Sequence, residues 1–77
     1  MNAPPTIAAA LAAARHRLPG GEARLLLGHV LRQPAAWLLT HDDAGLDAAT
    51  SHAFNALVAR REAGEPVAYL LGRREFF

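Results

Sequence analysis

The sequence predicts an all-α domain, a small orthogonal or antiparallel bundle of about five helices that ends in the start of an extended linker. Three observations carry that prediction. Alanine and leucine abound while β-branched residues are few, a bias that favours helix over strand. The longest apolar run, Glu22 to Leu39, places Ala23, Leu26, Leu27, Val30 and Leu31 at i, i+3, i+4, i+7 and i+8, one continuous helical stripe that must be covered. Prolines and glycines at Pro19-Gly20-Gly21, Pro34, Gly64-Glu65-Pro66 and Gly72 cut the chain into helix-length pieces, with no internal repeat expected among them.

Taken in order, Met1 to Pro5 form a frayed tail, because Pro4 and Pro5 cannot extend a helix backwards. Thr6 is the N-cap of the first helix, whose inner face is Ile7, Ala10, Leu11, Ala14 and Leu18. The short break at Pro19 to Gly21 makes the first two helices neighbours, roughly antiparallel. In the second helix Glu22 sits in the first turn, where a carboxylate offsets the positive end of the dipole, and Arg32 at the other end. Arg24, Gly28 and Arg32 share the side opposite the stripe. Leu25 lies off the stripe, so this helix should touch neighbours on two flanks and sit centrally. Pro34 lacks an N–H and pushes Gln33 out of the α region, which ends or bends the run there.

A short third helix, Pro34 to Leu39, uses proline at its first position and turns Trp37 and Leu38 inward. Thr40 to Leu46 reads as an exposed loop. Asp47 is the N-cap of a fourth helix that runs to about Ala63 and stops at Gly64, with Phe54, Leu57 and Val58 buried and Ala53 and Ala56 beside them. Glu65 and Pro66 start a last short helix, with Val67, Leu70 and Leu71 inward, Tyr69 outward and Gly72 closing it. After Gly72 the pattern changes, and Arg73 to Phe77 read as an extended segment leaving the bundle, as though the chain were cut where a further unit begins.

The 77 residues make one domain near the lower size limit for a single core, since a chain this short buries only about 60% of its unfolded surface. Cysteine is absent, and all eight basic residues are arginine against seven acids, for a net charge of +1. That balance predicts no strong field for a nucleic-acid backbone and no polybasic membrane patch. The apolar stretch Ile7 to Ala14 has no basic segment ahead of it and falls far short of the roughly 20 residues that span a bilayer. A cytoplasmic protein is expected.

Little in the chain points to chemistry of its own. His16, His29, His41 and His52 include no pair at i, i+3 or i+4, so no metal site is expected. His29 reads as a hydrogen-bonded boundary residue, and His41-Asp42-Asp43 as solvated turn residues with no nucleophile near. No GxGxxG or GxxxxGK[ST] loop occurs. The concentrated positive feature is Arg60, Arg61, Arg73 and Arg74, interspersed with Glu62, Glu65 and Glu75. It reads either as a salt-bridged surface or as a docking surface for a second domain or a partner protein. Arg61 stands out, because its position extends the Phe54, Leu57, Val58 side.

The runs EARLLLGHVLRQPAAWLLTHDDAGL and FNALVARREAGEPVAYLLGRREFF resemble the N-terminal domain of the HemK/PrmC family of protein-(glutamine-N5) methyltransferases, which act on peptide-chain release factors. The most specific part is Ala59 to Phe77, where Gly64, Pro66, Tyr69, Gly72, Glu75 and Phe76 fall at the family's separations. The sequence departs from the family at Pro34 and Ala35, where an acidic-arginine pair is common. The resemblance implies a helical bundle, residues 1–72, joined through a β-hairpin linker that begins at 73–77 to a Rossmann-like domain binding S-adenosylmethionine.

Family catalytic and cofactor residues, a glycine-rich loop and an Asn-Pro-Pro-Tyr motif, belong to that second domain. None is carried over to this chain, which alone should bind no cofactor and transfer no methyl group. What the resemblance implies for these residues is recognition of the protein substrate, a release factor or, in some relatives, a ribosomal protein. Expected partners are that substrate and the chain's own C-terminal catalytic domain. Residues expected at such contacts are Arg60, Arg61, Arg73, Arg74, Glu75, Phe76 and Phe77. The alternative is a stand-alone helical binding module, such as a helix-turn-helix reader of nucleic acid, against which the near-neutral charge and absent lysine count.

Overall fold

The computed structural model describes residues 5–72, which form α1 (Ile7–Arg15), α2 (Glu22–Leu31), α3 (Ala35–Thr40), α4 (Ala48–Glu62) and α5 (Val67–Leu70). The expected linker, 73–77, lies outside the described residues. Among those described, no helix is long and apolar enough to cross a membrane.

Both predicted side-chain caps are present. Thr6 Oγ1 accepts the Ala9 N–H at 3.1 Å, and Asp47 Oδ1 accepts the Thr50 N–H at 2.7 Å. The first N–H groups of α1 have further partners from a distance in sequence: Ile7 donates to the Ala44 carbonyl at 2.9 Å and Ala8 to the Asp42 carbonyl at 2.8 Å. Leu46 donates back to the Pro5 carbonyl at 2.8 Å, beside an antiparallel bridge between Thr6 and Gly45. The segment expected to be a plain exposed loop is therefore stitched to the start of α1, and Leu46 is buried beneath it. Backbone groups left over at a helix start need partners, and here another segment's carbonyls supply them.

α2 is central, packing on each of the other four helices. Leu26 and Leu27 are fully buried with Leu38, Phe54, Val58 and Ile7. That central place does not depend on Leu25. Leu25 does not reach a second flank; it is 48% exposed. Gly28, placed on the polar side by the helical wheel, is buried instead. A Cβ there would lie 2.7 Å from the carbonyl oxygen of Gln33, so the missing side chain is what lets the turn after α2 fold back over the helix.

α2 and α4 end in the same way. Arg32, at φ 60°, donates to the His29 carbonyl at 3.2 Å and Gln33 to the Gly28 carbonyl at 2.9 Å. Gly64, at φ 117°, donates to the Arg61 carbonyl at 3.0 Å and Glu65 to the Arg60 carbonyl at 3.1 Å. This is the paired backbone closure that a left-handed residue permits. A proline follows in extended geometry each time, Pro34 at ψ 154° and Pro66 at ψ 144°. Each lies one residue outside the short helix it was expected to begin, with its carbonyl accepting the N–H of Trp37 at 2.9 Å or Tyr69 at 3.0 Å. The helices begin at Ala35 and Val67.

The two connectors are also alike in sequence over eight residues. Gln33-Pro34-Ala35-Ala36-Trp37-Leu38-Leu39-Thr40 runs in register with Glu65-Pro66-Val67-Ala68-Tyr69-Leu70-Leu71-Gly72. In both the leucine after the aromatic residue is buried, Leu38 completely and Leu70 to 7% exposure.

Candidate docking surface

Arg60 and Arg61 occupy the last turn of α4, and the structure gives each an internal partner. Half-buried Arg61 bonds Glu22 from Nε at 2.9 Å and Nη2 at 3.4 Å, and the Glu65 carbonyl from Nη1 at 3.3 Å. It clamps the first turn of α2 to the end of α4. Glu22 thus serves as an ion-pair partner as well as a dipole-compensating acid. Arg60 bonds Glu65 from Nε at 3.0 Å and Nη2 at 2.7 Å. Arg17 bonds Glu62 from Nη2 at 2.6 Å, joining the end of α1 to the end of α4.

The two exterior pairs hold the Glu62 and Glu65 carboxyls below their usual values, through the hydrogen bonds from Arg17 and Arg60. The N-cap bonds from Thr50 do the same for Asp47. Arg73, Arg74, Glu75, Phe76 and Phe77 lie outside the described residues.

Among the described residues no group of three or more His, Cys, Asp or Glu could hold a metal ion. His29 is exposed, not a hydrogen-bonded boundary residue. His41 stacks on Trp37 with ring centroids 3.9 Å apart, and its Nδ1 lies 2.9 Å from the Trp37 carbonyl and from Thr40 Oγ1. That arrangement closes the C-terminal end of α3. Asp42 and Asp43 point to solvent beside it. The short helix α3, the reading helix of any helix-turn-helix arrangement with α2, carries no basic side chain.

The feature that sequence reasoning missed is an open groove of about 880 Å³ along the exposed side of α2. Its apolar walls are Leu25 and Val30 of α2, Leu57 of α4, and Leu71 just after α5, and Arg24, His29 and Arg32 also line it. Among the described residues no Asp or Glu and no Phe, Tyr or Trp lines it. Neither Arg24 nor Arg32 has an ion-pair partner among the described residues, in contrast to Arg17, Arg60 and Arg61. The signals for it were in the sequence: Arg24 and Arg32 one helix side apart from the stripe, and Leu25 off it. The opposing wall comes from α4 and the end of α5, which only the packing brings there.

Comparison with known families matches residues 6–72 to the family described as PrmC N-terminal domain. The chain belongs to that family. The PrmC N-terminal domain match covers every described helix, and the resemblance carried by Gly64, Pro66, Tyr69 and Gly72 agrees with it. Among curated proteins the chain is similar to the release factor glutamine methyltransferase of Bordetella pertussis, 56% identical over 59 residues, 77% of this chain and 22% of that protein. It is similar to the release factor glutamine methyltransferase of Xylella fastidiosa strain Temecula1, 49% identical over 73 residues, 95% of this chain and 26% of that protein. The protein of the same description from Vibrio cholerae is 47% identical, over 94% of this chain and 28% of its own length. The chain spans about a quarter of the length of these relatives. No solved structure matches it significantly.

Proposed function

We propose that this chain is the substrate-recognition part of an S-adenosylmethionine-dependent methyltransferase that modifies the side-chain amide of a glutamine in peptide-chain release factors, in the cytoplasm. The single observation that supports this reading is the match of residues 6–72 to the PrmC N-terminal domain, together with relatives described as release factor glutamine methyltransferases. In this reading residues 1–72 are a recognition module, and 73–77 begin the connection to a second domain that holds the cofactor and the catalytic groups. Arg73, Arg74, Glu75, Phe76 and Phe77 then belong to the join, with Arg60 and Arg61 close to it in sequence.

The chemistry of the described residues agrees with such a division. They hold three ion pairs that tie helices or their ends together. A recognition module need only be rigid and present a surface, and tethering makes even a weak contact effective by raising the local concentration of the substrate.

Two measurements test the reading. Calorimetry with the 77-residue chain and S-adenosylmethionine should show no binding; tight binding would contradict the division of labour. Removing residues 1–72 from the full-length protein should raise KM for a release factor while the remaining domain still binds the cofactor. An unchanged KM would contradict a role in recognition.

A further inference from the structure

We propose that the groove between α2, α4 and the end of α5 is the face that docks the protein substrate. Its occupant is an acidic segment that sets carboxylates on Arg24 and Arg32 and one large apolar side chain against Leu25 and Leu57. The partner's identity rests on the function proposed above; the choice of face and the chemistry of the occupant rest on the structure.

Charge complementarity is the first argument. Arg17, Arg60 and Arg61 are each neutralised by a glutamate of the same chain, whereas Arg24 and Arg32 meet no acid among the described residues and the groove lining contains none. A carboxylate arriving there completes pairs that the described residues leave open, and such complementary charge governs encounter and register. Nucleic acid is a poorer fit. The described lining has no Phe, Tyr or Trp for a base to stack on, and the chain has no lysine and a net charge of only +1.

The backbone at Arg32 points to the same face. Among the described residues, Arg32 is the one non-glycine with positive φ; the other such positions are Gly20, Gly64 and Gly72. Gly64 makes the same closing hydrogen bonds without a side chain, so the closure itself does not call for arginine. Strain held at one residue while glycine relieves it elsewhere directs attention to what that side chain does. Arg32 is one of the residues that line the groove.

Leu25, on the groove wall, is 48% exposed. With Val30, Leu57 and Leu71 it offers aliphatic surface that an acid-flanked apolar side chain would cover.

The test uses the full-length enzyme with a purified release factor as the probe, following methyl transfer over a range of release-factor and salt concentrations. Reversing both charges, Arg24→Glu with Arg32→Glu, should raise KM about tenfold or more and flatten its salt dependence, with the effect on KM rather than kcat. Arg32→Gly separates docking from folding: its melting temperature should equal or exceed that of the unaltered protein while KM rises. Leu25→Ala should raise KM several-fold, about the scale of a lost aliphatic contact, at little change in melting temperature. If the double charge reversal leaves KM and its salt dependence unaltered, the groove is not the docking face. That result beside a raised KM on removing residues 1–72 would overturn the groove alone, whereas an unchanged KM in both would overturn the recognition role as well.

Discussion

The ends of α2 and α4 carry out the same operation with their residues exchanged. In each, a left-handed residue turns the chain, two backbone N–H groups reach back into the last turn, and an extended proline stands just before a short helix. At α4 the left-handed position is Gly64 and the residue whose carbonyl receives the longer reach is Arg60; at α2 these are Arg32 and Gly28. Each end spends one glycine, for different reasons. Gly64 supplies a backbone angle that side chains resist. Gly28 supplies room, because the carbonyl of Gln33 lies where its Cβ would be. At α4 the equivalent Glu65 instead sends its side chain back to Arg60. Both ends close through backbone hydrogen bonds; the first adds close backbone packing over Gly28 and the second an exposed ion pair.

Buried leucines at matching places give the largest test of this pairing. Leu38→Ala should destabilise by about 3–4 kcal/mol and Leu70→Ala by about 2 kcal/mol, since Leu38 is fully enclosed and Leu70 keeps 7% exposure. Urea unfolding of the two variants decides it; equal losses would mean that the short helices are anchored alike. Next in size is Gly28→Ala, which forces the Gln33 carbonyl aside and should cost about 1–3 kcal/mol. The matching change at the other end, Arg60→Ala, breaks only a solvent-exposed pair and should barely move the urea midpoint. A harmless Gly28→Ala would remove the distinction between the two closures.

Acid gives the smallest and most local effect. Asp47, Glu62 and Glu65 have carboxyls held low in the folded chain, so the unfolded chain binds more protons as pH falls. Their contribution to stability is complete above the ordinary carboxylate range and is lost as pH drops through the lowered values. All three belong to α4 or its closure. Between about pH 5 and about pH 3, amide protection at Gly64 and Glu65 should fall more than at Arg32 and Gln33. A uniform loss along the chain would place the sensitive carboxyls elsewhere.

Much of this was legible in the sequence because it is local. Thr6 and Asp47 announce their helices by residue type, Gly64 announces an end, and the Leu26, Leu27 and Phe54, Val58 faces follow from helical period. Arg61 was legible as an extension of a buried face, though its partner Glu22 was not, since that contact joins separate helices. Gly28 was misplaced for the same kind of reason: a helical wheel cannot know that the chain returns over its own last turn. The matched connectors were visible letter by letter, but Trp37 against Tyr69 and Thr40 against Gly72 conceal the likeness until the shared hydrogen bonds reveal it. The groove was illegible as a site because its walls come from α2, α4 and the end of α5.

Arg32 is held in a conformation that glycine would adopt more easily. Urea unfolding of Arg32→Gly in the 77-residue chain tests this most directly. Relief of left-handed strain, less the added flexibility of glycine in the unfolded chain, predicts a gain of about 0.5–1 kcal/mol. A loss of stability would show that the arginine side chain supports the fold, and would contradict the claim that it is kept there for another purpose.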